Sequence, residues 1–141
     1  MKFKSVVFGL IAALAFVSMG IPTSIYAQAT LLRMTVPFDF YFGAQKFPAG
    51  IYTVGRVGLS DAIRISDEQG RAAVAVSNAS DTPRKDLAKS QVVFNRYGNT
   101  YFLSEVKWTD YPTARALPIT AMESELAKSS PRDRVISTAR R

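Results

Sequence analysis

The chain of 141 residues contains no cysteine and no histidine. Without cysteine there is no disulfide staple and no thiolate nucleophile, so the fold must stand on packing alone. Nor is there a thiol to carry the lipid of a lipoprotein. Without histidine, Ser-His-Asp and Cys-His catalysis are excluded, together with imidazole acid–base chemistry. The usual zinc ligand sets go with them. Also missing is any continuous apolar run near the ~20 residues that a spanning helix needs. The longest, Val6 to Val17, is much shorter than that.

That run has the anatomy of a secretory leader. Lys2 and Lys4 precede it, Pro22 breaks any helix after it, and Ala27-Gln28-Ala29 supplies small residues at a cleavage site. The pattern predicts a signal peptide over residues 1–29, cut after Ala29, with Ala27 as the second choice. An uncleaved anchor is the alternative. Export would place the mature chain in the periplasm or the medium, with no transmembrane segment after signal removal.

The net charge of +7 suggests an anionic partner, but its distribution argues against nucleic acid. Lys2 and Lys4 leave with the leader. Lys128, Arg132, Arg134, Arg140 and Arg141 face only Asp133 at the other end, and residues 30–127 are nearly balanced. Residues 128–141 therefore read as a basic, disordered tail, able to lean on an acidic envelope surface by long-range attraction. Residues 30–127 read as one β-rich domain.

From Met34 the apolar side chains alternate: Met34, Val36, Phe38, Phe40 and Phe42 fall on one face. This predicts a half-buried strand, at an edge or bulged because Pro37 cannot donate to a ladder. Phe47-Pro48-Ala49-Gly50 is a turn. Strands are expected over 51–57, 62–66 and 72–76, with a polar turn at Asp67-Glu68-Gln69-Gly70. Residues 78–90 form a long polar loop centred on Asp81 to Asp86. A hairpin follows, 91–96 and 100–108 around Tyr97-Gly98-Asn99, since Gly-Asn tolerates positive φ. Strict alternation puts Tyr101 and Leu103 on one face, and Phe102, Val106 and Trp108 on the other. Thr120 and Glu123 make a capping box for a short helix, in which hydroxyl and carboxylate both satisfy backbone N–H groups. The expected fold is mainly β: a small antiparallel β-barrel or sandwich of about six strands with a short C-terminal helix.

Val36-Pro37-Phe38-Asp39-Phe40, the stretch from Phe47-Pro48-Ala49-Gly50 to Val54, and Val93 to Leu103 (VFNRYGNTYFL) resemble a group of short exported bacterial hypothetical proteins of unknown function. The ending, Leu117-Pro118 followed by Glu123 to Ala127, is similar too. The resemblance covers most of residues 34–127. It implies export and a small β domain, and brings no activity with it.

Candidate chemistry is sparse. Arg96, Tyr97, Trp108 and Tyr111, beside Tyr101, Phe102 and Lys107, combine aromatic faces with cations that could stack sugar rings. The bland reading is cross-strand packing. Asp39, Glu105 and Asp110 are the carboxylates available to a glycoside hydrolase, against a reading as surface charge. Asp67-Glu68 has neither the length nor the spacing of a calcium loop. Phe38, Phe40 and Phe42 would line an apolar cavity or, by default, pack a core.

No cofactor and no metal site is implied. The reading is a non-enzymatic, envelope-associated binding or structural module whose partner is a protein, a glycan or a small apolar ligand. The alternatives are a carboxylate-dependent hydrolase of envelope polysaccharide, and an assembly protein that pairs an edge strand at residues 34–40 with another chain.

Overall fold

The computed structural model describes residues 31–83 and 88–140. The protein is mainly β with one short helix, as the alternation predicts. The first strand, β1 (Leu32–Val36), buries Leu32, Met34 and Val36 and exposes Arg33 and Thr35. It does not run on to Phe42. Pro37 has no N–H to give, and residues 37–39 turn the chain out of one sheet and into another, where β2 (Phe40–Phe42) begins. Phe40 and Phe42 stay on the buried side, while Phe38 at the corner is half-buried against Tyr101.

The strands β3 (Gln45–Phe47), β4 (Gly50–Arg56), β5 (Ala62–Asp67) and β6 (Ala72–Val76) follow. The order β1-β4-β5-β6 makes a four-stranded antiparallel sheet. After β7 (Asn78–Ala79) come the long hairpin β8 (Ser90–Tyr97) and β9 (Thr100–Lys107), then β10 (Arg115–Ala116), α1 (Ala121–Ser129) and β11 (Asp133–Ala139). The second sheet runs β11-β8-β9-β10-β7, with β2 joined in parallel to β9 through Tyr41 and Phe102. Gly98 turns the hairpin at φ +61, a conformation that side chains disfavour.

The two sheets are joined at both ends. At one seam Arg33 and Arg140 exchange backbone hydrogen bonds of 2.6 and 2.9 Å, tying β1 to β11. At the other, β6 runs through Ser77 directly into β7. Arg115 clamps that corner, donating to the Ser77 carbonyl at 2.8 Å and pairing with Asp61 at 2.6 Å. Strands thus follow one another around a single core of Leu32, Phe40, Phe47, Tyr52, Ile63, Phe94 and their neighbours.

Three expectations need correction. In the segment expected to be a disordered tail, 128–141, residues 133–139 form β11, antiparallel to β8 along its whole length, with Ala139 in the core. The dense charge at 132–134 masks the alternation that follows. Those charges are used within the fold, since Arg134 pairs with Glu105 at 2.8 Å. Second, the register of β9 shifts at a bulge opposite Val93 and Phe94. The extra residue returns Val106 and Trp108 to the face of Leu103, and leaves Phe102 on the opposite face with Tyr97. Third, the capping box is only half made. The Thr120 hydroxyl accepts from Glu123 N at 3.2 Å, but the Glu123 carboxylate turns inward to the sheet.

Candidate functional site

The four aromatic and cationic candidates do not make one site. Trp108 is 0 % exposed, and its ring meets Tyr111 edge-on at 6.1 Å. Tyr97 is buried beneath α1, where its hydroxyl donates to Glu123 at 3.2 Å. Burial, then the Glu123 charge, raises its pKa above the ordinary tyrosine value, against the opposing pull of Arg132. Arg96 donates to the Gly98 carbonyl at 2.7 Å and lies over Tyr101. Tyr111 carries the Arg56 guanidinium on its face at 5.2 Å. The Arg56 Nε is buried there without a hydrogen-bond partner. Arg96 and Tyr97 sit at the tip of the hairpin, and Trp108 lies past its far end, about 25 Å along the strand by rise per residue. The candidates fall in two separate regions, with Tyr97 and Trp108 buried and Arg96 and Tyr111 half-buried.

The carboxylates disperse likewise. Asp39 accepts from Ala49 N at 3.0 Å and faces Lys46 at 3.8 Å. Glu105 is buried on the outer side of the second sheet, where it accepts from Ser80, from Arg134 at 2.8 Å and lies 3.6 Å from Lys107. Asp110 lies beyond β9, next to the Thr109 hydroxyl. A glycoside hydrolase needs two carboxyl groups facing one bond across about 5–10 Å. Asp39 and Glu105 instead belong to different neighbourhoods, each with its own cation. Phe40 packs against Phe47, Tyr52 and Phe94 at 5.1–5.7 Å, as the default core reading expects. Among the described residues no group of three acidic side chains is placed to hold a metal, and no helix is long and apolar enough to cross a membrane. The predicted leader and residues 84–87 of the polar loop lie outside the described residues.

What distinguishes one surface from the rest is cover. The outer side of the second sheet is covered at two places, while Ile136 of β11 stays 58 % exposed there. At one end α1 lies over Asn95 and Tyr97, fastened by Glu123, which accepts from Asn95 at 2.8 Å. At the other, Thr82 and Pro83 lie near Val93, Lys107 and Ile136 around a small groove. Both faces of β8 are consequently buried. The first sheet has only its inner side covered. Its outer side carries Thr53, Arg64, Ser66, Ala72, Val74 and Val76, with Val74 60 % and Val76 68 % exposed. A shallow groove of about 240 Å³ crosses it between Leu31, Thr53, Gly55, Val57 and Arg64. Gly55 makes its floor: a Cβ there would come within 2.5 Å of the Leu31 side chain.

This sheet also ends in an edge. β6 pairs with β5 and with no other strand among those described. Of the segment expected to be an edge, 34–40, β2 lies between β3 and β9, whereas β1 does end the first sheet, with β4 on one side and the single bridge from Arg33 to Arg140 on the other. Sequence reasoning passed over β6 because Ala72-Ala73-Val74-Ala75-Val76 has no polar alternation. An all-apolar strand reads as buried on both faces. The signal that was there is the want of any charge or proline to protect it.

Fold and surface together define a small, cysteine-free, mainly β domain with an open sheet. No protein-family model, curated protein or solved structure matches the chain.

Proposed function

We propose that the protein is exported after loss of residues 1–29 and works outside the cytoplasm as a non-enzymatic binding module. The observation that carries the binding reading is the open outer face and edge of the first sheet. Apolar side chains at Val74 and Val76 cost free energy in water, and an unpaired strand edge is a template for another chain. The export reading rests on the leader pattern, and the first described strand, β1, begins at Leu32, after the expected cleavage site at Ala29.

The test is expression of the full-length chain in a Gram-negative host with a photo-cross-linking residue at Val76. Intact mass is measured on the periplasmic, medium and cytoplasmic fractions. A mass beginning at Thr30 or Gln28 outside the cytoplasm, with a macromolecule cross-linked at position 76, is expected. An uncut chain confined to the cytoplasm would sink the export reading. A cut chain that cross-links to nothing would sink the binding one.

A further inference from the structure

We infer that the open edge of β6 pairs with β6 of a second copy of this chain, antiparallel about a two-fold axis at Val74. The inference rests on the binding reading above and names its partner. The register of β6 against β5 settles which backbone groups are free. Asp67 N bonds to Arg71 O and Ser77 N to Asp61 O, so the odd-numbered residues 71, 73, 75 and 77 turn their N–H and C=O toward β5. Ala72, Val74 and Val76 turn theirs outward. A symmetric antiparallel partner satisfies these groups in one way: Val74 opposite its own copy, and Ala72 opposite Val76 on either side.

Three features favour a copy of this chain over an unrelated strand. First, β3, another strand with a single partner, is protected, whereas β6 is left bare. β3 is three residues long, carries the exposed Lys46 and is followed by Pro48, whereas β6 has five residues with neither charge nor proline. Second, the side chains are self-complementary. Val74 meets Val74, and Val76 meets Ala72, so apolar meets apolar on the outer face and the small inward-facing Ala73 and Ala75 leave the backbones free to approach. Third, the charges agree. Arg71 falls opposite Ser77 of the copy, in the row that continues to the exposed Asp61, so the signs alternate across the seam from Asp61 through Arg71 to Asp67. The two Arg64 side chains, each across from a Val74, stand three strand spacings apart, about 14 Å, beyond the reach of unscreened repulsion at physiological salt. An edge contact of this length is small, so the dimer should be reversible and depend on concentration.

The absence of cysteine makes the test clean, because one introduced thiol is the only one present. The full-length chain is expressed and recovered as the cell leaves it, as Val74→Cys and separately as Ala72→Cys, and oxidised mildly. In the proposed register the Cα atoms at position 74 lie about 5.5 Å apart, within disulfide reach. Those at position 72 lie four residues apart along the seam, about 13 Å, beyond it. Val74→Cys should cross-link to a dimer at least about tenfold faster than Ala72→Cys. In sedimentation equilibrium the reduced protein should dimerise with rising concentration, and Val74→Lys should weaken that association by about tenfold or more. Position 74 is exposed, and circular dichroism checks that each variant folds. Equal oxidation of the two variants, or a monomer at every concentration, would overturn the inference. So would a cross-link from position 74 to a different protein, which would leave the binding reading standing.

Discussion

Trp108 shows how a residue suited to recognition becomes a residue of the core. It follows β9, and the bulge opposite Val93 and Phe94 turns it inward, where nothing of it meets solvent. Trp108→Ala should therefore cost about 3–5 kcal/mol of stability, as large-to-small changes in packed cores do. Urea unfolding measures the loss. As the only tryptophan, it also reports on itself: its emission should be blue-shifted in the native protein and move red on unfolding. Asp67 is the polar counterpart. Burial opposes its ionisation, but the Arg71 guanidinium at 2.7 Å and the N–H groups of Arg71 and Gln69 prevail and hold it below the ordinary value of 3.8. A carboxyl depressed on folding stabilises the native state above its unfolded pKa. That contribution is lost as pH falls through the folded one. Asp67→Asn should lower stability at neutral pH and flatten the acid side of the stability curve below about pH 4. Thermal melts from pH 2 to 7 test this.

Among the elements, α1 is unusual in what holds it. Met122 is exposed, Leu126 half-buried, and Glu123 is the one fully buried side chain of the helix. The helix is fastened by a carboxylate accepting from Asn95 and Tyr97, not by an apolar stripe. Removing the carboxylate strands two buried donors, so Glu123→Ala should cost about 1–3 kcal/mol. Hydrogen exchange should show α1 loosening before the hairpin. A helix held by apolar contacts alone would barely respond. The half-made capping box has the same cause. One carboxylate cannot serve both the helix terminus and the sheet, and the buried donors have no water to turn to.

For the molecule as a whole, closure depends on the two ends of the described chain. β1 and β11 meet through Arg33 and Arg140, and β11 supplies one entire flank of β8. Ending the chain after Ser130 would leave the hydrogen-bonding edge of β8 unpaired, take Val135 and Ala139 from the core and open the seam. The truncated protein should lose cooperative unfolding and bind a hydrophobic dye, whereas removal of a solvated tail would change neither. The same closure explains the distribution of open surface. The second sheet is covered in part by α1 and by Thr82 and Pro83, and the first is covered on the inside alone.

Period-two alternation in β1, the Pro-Ala-Gly turn and the Gly-Asn hairpin were enough to read a small mainly β domain with a short C-terminal helix. Each is a local preference of backbone and side chain, legible in a few consecutive residues. The absence of cysteine and histidine equally needed no structure to exclude whole classes of chemistry. The bulge in β9, the conversion of 133–139 into a strand, the inward turn of Glu123 and the bare edge of β6 lay beyond that reading. All four depend on what lies across from a residue rather than beside it in the chain. Pairing partners, and the cover they give or withhold, are fixed only when distant segments meet.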